Sequence, residues 1–419
     1  MSANTPESFT GYQKFVIAIL AFLQFTIILD FMIMAPLGAI LMPALEITAS
    51  QFSMVVSAYA FSAGTAGLLA AGFADKFDRK KLLLFFYAGF VLGTLFCGLA
   101  PNYPMLLAAR TVTGLFGGVL GSIVFAITTD LFPMNKRGRV MGFIQTAFAG
   151  SQVLGIPAGL YFSNHWGWHA PFLLIVAVSV IVGVVIALKM RPVDEHLKLQ
   201  TGANAVRHLI TTVSTPRYLF AFCATALLSI GGFMIMPFSS AFTVHNVGID
   251  AEKLPFIYLV TGLCSIAIGP LVGRINDKVG SMRTFIAGTL IMSVMVVTFT
   301  NLGPAPLVAV MAINVVMFIG IFSRMIPSQT LMSGIPDPAS RGSFMSVSAS
   351  LQQISGGVAS IAAGFIVTTT ASGALEHFER VGYVMVATGI ITLFMMSKIN
   401  KMVTRSRIVA TPPAADLGH

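Results

Sequence analysis

Charge is scarce in this chain. Only 10% of its 419 residues are charged, where a soluble protein carries about 25%, and that shortage excludes a water-soluble globule of this length. Cysteine is scarcer still. Cys97, Cys223 and Cys264 all lie inside apolar runs without ligand-like spacing, so neither a disulfide framework nor a zinc site is indicated. No Gly-Lys dipeptide occurs, which removes the G-x-x-x-x-G-K-[ST] phosphate loop. An HExxH motif and a Cys-rich cofactor cluster are missing as well. The expectation is a protein that is not an enzyme and holds no cofactor or metal, and any active transport by it would draw on an ion gradient. The net charge of +10 is not accompanied by a basic patch interleaved with stacking aromatics, so no nucleic-acid partner is expected.

What is abundant is apolar surface: 56% hydrophobic residues before the 39 glycines are counted, with a mean hydropathy of +0.86. Strands of a membrane barrel would alternate apolar and polar over about 10 residues. Here apolar runs of about 20 recur, the length a helix needs to cross ~30 Å of hydrocarbon. The pattern predicts an all-α membrane protein with twelve spans near 14–43, 51–73, 82–100, 104–130, 139–162, 170–190, 217–244, 254–273, 284–301, 306–334, 342–368 and 381–398. The run starting at Phe15 outlasts a signal h-region and has no A-x-A-like exit, so it reads as a retained first span.

Orientation follows from the basic residues, because short loops rich in them stay in the cytoplasm. Of the 25 lysines and arginines, only Lys253 and Arg380 fall in odd-numbered loops and only Arg110 and Arg324 fall inside spans. The other 21 occupy the even loops and the two tails, which predicts both termini on the cytoplasmic side of a cell inner membrane.

The chain also repeats itself. Phe31-Met32-Ile33-Met34 returns as Phe233-Met234-Ile235-Met236 and Asp75-Lys76 as Asp277-Lys278, both at an offset of 202. Arg137-Gly138 returns as Arg341-Gly342 at 204. Three blocks in one order at nearly one offset mark a duplication. The expected organisation is two parallel six-helix bundles, residues 1–190 and 217–400, joined by a cytoplasmic linker at 191–216 and followed by a tail at 401–419. A pseudo-twofold along the membrane normal would place a substrate site between the bundles near the midplane.

Ala71-Gly72-Phe73-Ala74-Asp75-Lys76-Phe77-Asp78-Arg79-Lys80 is similar to the G-x-L-A-D-R-x-G-R-R/K loop of the major facilitator superfamily, and the resemblance covers essentially all twelve spans. The second copy, Gly273 to Gly280, keeps both glycines that the first replaces with Ala71 and Asp78. Leu29-Asp30 followed by Pro36 resembles the D-x5-P pattern of drug:proton antiporters, and Arg110-Thr111-Val112-Thr113-Gly114 resembles their R-x-x-x-G pattern. Gly150, Gly155, Pro157 and Gly159 resemble the antiporter glycine-proline motif, with Ile156 where glycine is usual. His165 to Phe172 resembles the G-W-R-x-x-F turn of sugar- and drug-efflux members, with His169 in place of arginine. The resemblance implies the major facilitator fold, a sugar- or drug-efflux type of transport by alternating access, and a central cavity to which spans 1 and 4 contribute.

Asp30 is the only acidic residue in the middle of an expected span. An ionised carboxylate there costs several kcal/mol unless it is paired, hydrated or protonated. It aligns with Gly232 in the repeat, so the charge belongs to one half alone. Asp30 and Arg110 are the candidates for proton coupling. Arg110 lies about 9 Å inside the outer end of span 4 by helical rise, within reach of Asp30 through its long side chain. Arg324 is the other intramembrane cation, a candidate substrate contact and a rival partner for Asp30. Gln24, Asn314, Gln329 and Gln352 are candidates to line the cavity, each equally able to make an interhelical hydrogen bond. Asp75, Arg79, Asp130 and Asp277 form an expected cytoplasmic gate, the superfamily's loop being similarly tied to an acid at the end of span 4. The glycines at 114, 117, 118 and 121 of span 4 and at 155 and 159 of span 5 stand at helical spacing, and most of them read as tight helix packing.

Three functions fit these residues: proton-coupled efflux of a small organic compound, proton-coupled uptake of an anionic metabolite, and a non-transporting signalling or assembly role in the membrane. The expected partners are a small-molecule substrate, protons and the bilayer, for a monomeric chain. For the orientation, single cysteines at Gln200 and Ser372, in a background lacking the native three, should differ toward an impermeant thiol reagent added to intact cells. Ser372 should react and Gln200 should not; the reverse pattern would overturn the orientation.

Overall fold

The computed structural model describes residues 9–70, 76–195, 197, 211–337, 340–370 and 372–410. Asp75, most of the 191–216 linker including Gln200, and the tail beyond residue 410 lie outside the described residues. Three of the first-half helices begin on side-chain caps. Thr10 and Gln13 form a reciprocal capping box at the start of α1 (Gly11–Ala44), satisfying two amide groups that the helix itself leaves without acceptors. Helices α2 (Ala49–Ala70), α3 (Arg79–Gly98) and α4 (Tyr103–Leu131) follow. Asp78 caps α3, accepting from the Lys80 amide at 2.7 Å, with a φ of −55°. That conformation needs no glycine, so the aspartate that departs from the superfamily's loop has a capping role of its own. The turn between the second-half helices is different: Gly280 has a φ of +97°, where a Cβ would be strained.

The fifth expected span is one helical passage with a defect. Between α5 (Met134–Gly150) and α6 (Ile156–Trp166) the ladder slips into a π turn at Ser151–Gly155, with the Ile156 amide bonded to the Ser151 carbonyl. Helix α7 (Ala170–Lys189) closes the first half. The seventh span is likewise divided, into α8 (Pro216–Phe233) and α9 (Ser239–His245), joined through a short 3-10 turn at Met236–Phe238. Pro237 accounts for the break, because its ring collides with the carbonyl four residues earlier, and that residue is Phe233, where α8 stops. The remaining helices are α10 (Leu254–Val279), α11 (Ser281–Thr300), α12 (Leu307–Ser333), α13 (Arg341–Ile366) and α14 (Phe378–Ala410). A two-residue antiparallel pair, β1 (Thr368–Thr369) and β2 (Leu375–Glu376), lies before α14.

Among the described residues, ten helical segments are long and apolar enough to cross a membrane. Two more passages, 134–166 and Arg341–Ile366, are helical where spans were expected. The first is interrupted by the π turn. The second, α13, dilutes its apolar residues with serine, glycine and glutamine because much of its surface faces protein rather than lipid. Ser57 Oγ donates to the Gly357 carbonyl at 2.9 Å and Ser360 Oγ to that of Ser53 at 3.3 Å, stitching α2 to α13 across the two halves. A Cβ on Gly64 would lie 2.8 Å from the Ser350 carbonyl oxygen.

The apolar clusters show how the halves meet. One cluster joins both halves at the end away from the termini, running from Leu37 and Phe52 to Phe238, Phe242 and Ala363. Toward the termini there are two separate clusters, one around Leu83, Phe90 and Ile127 and one around Phe222, Phe344 and Met396, each within its own half. Leu68 alone reaches from α2 into the second of these. Polar bonds follow the same distribution: Ser240 Oγ donates to the Ala35 carbonyl at 2.8 Å and Asn164 Nδ2 to that of Ala251 at 3.2 Å. The molecule is sealed between halves at the far end and along the α2–α13 seam.

Within the first half, α4 packs on α2 through its glycines. A Cβ at Gly118 would sit 2.5 Å from Ala63 Cα, whereas one at Gly121 would meet nothing within 4 Å. Gly155 and Gly159 similarly admit Leu29 and Ile33 of α1. Gly118→Val should therefore destabilise the protein by about 1–3 kcal/mol or more through overpacking, while Gly121→Val should leave it near wild type. Thermal unfolding of the two purified variants checks this; equal melting temperatures would contradict the close α2–α4 contact.

Candidate functional site

Three helices converge on the lone buried acid. Asp30 of α1 is fully buried, and Arg110 of α4 is 1% exposed. Arg110 Nη1 donates to Asp30 Oδ2 at 2.7 Å, and Thr94 of α3 donates its hydroxyl to Oδ1 at 3.1 Å. Both carboxylate oxygens are thus engaged. The guanidinium carbon lies 4.6 Å from the centre of the Tyr59 ring on α2, a cation–π geometry in which the ring quadrupole attracts the cation. Arg110 Nε has no hydrogen-bond partner among the described residues. A buried pair of this kind is self-supporting only while both charges persist: removing one partner typically costs about 3–5 kcal/mol, because the other is left charged and unpaired.

The pair lies beside the boundary between the halves. Tyr59 packs on Phe31 with ring centres 5.3 Å apart, and Phe31 packs on Phe233 of α8 at 6.1 Å. Phe31 and Phe233 are the first residues of the two Phe-Met-Ile-Met copies. This aromatic contact therefore joins the first positions of the two tetrapeptide copies. Asp30 is next to it on one side. On the other side stands Gly232, where an added Cβ would meet nothing within 4 Å.

Arg324 is elsewhere. It is 5% exposed on α12, with Nη1 2.9 Å from Met292 Sδ and the guanidinium carbon 5.8 Å from the Phe285 ring centre, both on α11. The rival pairing of Arg324 with Asp30 does not form, because Asp30 is committed to Arg110 and Thr94. The other polar candidates are dispersed. Asn314 turns back on its own helix to the Val310 carbonyl at 2.9 Å, Gln24 is half-buried, and Gln329 and Gln352 are exposed. None is hydrogen-bonded to Asp30, Arg110 or Arg324 among the described residues.

Of the gate residues, Arg79 and Asp130 meet: Nε to Oδ2 is 3.1 Å, with the arginine side chain 7% exposed. The Arg79 amide also donates to the Val193 carbonyl at 3.0 Å, so α3, α4 and the chain leaving α7 are tied at one point. These contacts lie within the first half. Asp277 is exposed on α10 and is not joined to them, and Asp75 lies outside the described residues. Two residues that sequence reasoning did not single out, Thr94 and Tyr59, complete the shell around the ion pair. Each is a polar side chain in an apolar span, a signal too common to select them without the packing of α2 and α3 on α1 and α4.

Ten long apolar helices bundled around a buried ion pair are the architecture of an integral membrane protein. The model for the Major Facilitator Superfamily matches residues 20–360, and the chain belongs to that family. It is 27% identical over 273 residues to the uncharacterized MFS-type transporter YceJ of Bacillus subtilis (strain 168), an alignment covering 64% of this chain and 68% of that protein. It is 28% identical over 232 residues to the multidrug resistance protein MdtG of Escherichia fergusonii, covering 54% of this chain and 55% of that one. The fold is similar to a crystal structure of a bacterial homologue of the human lysosomal transporter Spinster in an inward-facing and occupied conformation. That likeness has a TM-score of 0.74 and 17% identity over 97% of this chain and all of that one.

Proposed function

We propose that the protein is a proton-coupled exporter of small organic compounds, working by alternating access in a cell inner membrane with both termini in the cytoplasm. The two moving bodies are residues 1–190 and 217–400, linked by 191–216, in a single chain that needs no partner subunit. The sealing of the halves at the end away from the termini supports an inward-facing conformation, given the cytoplasmic placement of the termini. The name of MdtG as a multidrug resistance protein supports the export of drug-like or sugar-like compounds over other cargo.

The carrying observation is the Asp30–Arg110 bond at 2.7 Å in a position that the duplication leaves uncharged. Protonation of Asp30 would remove the charge-assisted bond and leave Arg110 beside Tyr59 without a counter-ion. A guanidinium cannot shed its charge, so α4 would have to shift against α1 until Arg110 finds other acceptors. Because the pair abuts the Phe31–Phe233 contact, such a shift bears directly on the boundary between the halves. Proton and substrate then favour opposite-facing states, which is what makes exchange obligatory. The ion pair of Arg79 with Asp130 holds the terminus-side ends of α3 and α4 together during the movement; Asp75 and Asp277 would join that gate when the halves close there. Gln24, Asn314, Gln329 and Gln352 are the proposed polar positions along the pathway.

A second reading, proton-coupled uptake of an anionic metabolite, is favoured by the excess of intramembrane arginines over the single aspartate. The two readings part on the direction of labelled-substrate flux under an imposed pH gradient. In reconstituted vesicles, Asp30→Asn should abolish substrate accumulation driven by a pH gradient while retaining exchange of substrate down its own gradient. If the variant still concentrates substrate with wild-type pH dependence, Asp30 is a structural residue only.

A further inference from the structure

The charges inside the bundle do not balance. Asp30 is the only carboxylate in the middle of a span and is engaged by Arg110 and Thr94, which leaves Arg324 as a second buried cation with no acid assigned to it. A guanidinium has five N–H donors and stays protonated. Among the described residues the one hydrogen-bond acceptor at Arg324 is the Met292 sulfur, 2.9 Å from Nη1, and a thioether is a weak acceptor. Nε and Nη2 are buried and have no hydrogen-bond partner among the described residues. The Phe285 ring at 5.8 Å offers its π face but no lone pair.

Gly231 of α8 stands beside Nη2: a Cβ built there would lie 3.9 Å from Arg324 Nη2 and 3.2 Å from the Thr388 hydroxyl oxygen on α14, with nothing else within 4 Å among the described residues. A glycine thus keeps a Cβ away from Nη2, one of the two orphaned donors. Thr388, whose hydroxyl donates to the Met385 carbonyl at 2.9 Å, stands beside the same glycine as a second polar group. The repeat makes the arrangement specific to this half, since the position 204 residues before Arg324 is Leu120.

We propose that Arg324 Nε and Nη2, with Gly231 beside Nη2, form a binding site for one small monovalent anion, a carboxylate or a halide. Single negative charge follows from the uncompensated single positive charge, and planar or spherical shape from the fork of donors, which matches a carboxylate edge-on. The site holds whether or not Asp30 carries the coupling proton. The anion has two possible sources, an inorganic halide from the medium or the carboxylate of a transported compound.

The test is thermal unfolding of the detergent-purified full chain, titrated with sodium chloride, sodium bromide, sodium acetate and sodium benzoate, each against sodium sulfate at equal ionic strength. Wild type should show a saturable rise in melting temperature with a monovalent anion beyond the sulfate control. A response to chloride and bromide alone identifies a resident halide; a response to acetate that strengthens with benzoate identifies the carboxylate of a cargo molecule. Gly231→Val, which places a side chain beside Nη2 and keeps the arginine, should weaken the apparent affinity by about tenfold or more. Arg324→Met removes the unpaired charge, so it should be at least as stable as wild type in low salt and should lose the response. No rise in wild type beyond sulfate, or an unchanged rise in Arg324→Met, would overturn the site.

Discussion

A carboxylate and a guanidinium facing each other at 2.7 Å in the middle of a hydrocarbon-embedded bundle are the constraint around which the first half is arranged. Neither charge is tolerable there alone. The helices that hold them, α1 and α4, must therefore stay close, and the close approach of the neighbouring helices is made by small residues. Gly114, Gly117 and Gly118 bring α4 onto α2, which positions Tyr59 over the guanidinium; Gly93 brings α3 onto Thr113 of α4, which positions Thr94 on the carboxylate. Packing and electrostatics serve one geometry.

The same geometry sits where the two halves touch through Phe31 and Phe233. Apolar packing is continuous across the halves away from the termini and divided toward them. Apolar packing that is continuous at one end and divided at the other is what an alternating-access carrier presents in one of its two states, and the α2–α13 seam between the halves is made by small residues. The two halves are alike in scaffold and unlike in charge: Asp30 faces a glycine equivalent, and Arg324 a leucine equivalent.

Much of this was legible in the sequence because it depends on local chemistry. Membrane spans and their helical nature follow from apolar run lengths, and the lone acid in a span announced itself by cost. Helical rise alone allowed Arg110 to reach Asp30 but left Arg324 as an equal rival; only the packing of α4 beside α1, and of α12 beside α11, decides between them. The π turn at Ser151–Gly155 left no signal beyond a run of glycines, and the break before Pro237 was hidden inside an unbroken apolar run. Asp78, a departure from the family's loop when judged by motif, is an ordinary helix cap when judged by the amide groups it satisfies. Thr94 and Tyr59 were illegible because their role is set by which helices are neighbours, and single spans carry no record of that.

The central claim is that the charge state of Asp30 sets the relative disposition of the halves. Spin labels at Met134, at the start of α5, and Ser333, at the end of α12, in a background without the native cysteines, report that disposition on the terminus side. The account predicts a wild-type distance distribution that changes reversibly between neutral and acidic pH, and a distribution in Asp30→Asn that does not change with pH. A variant that follows the wild-type pH response, or a wild type that has none, would contradict it.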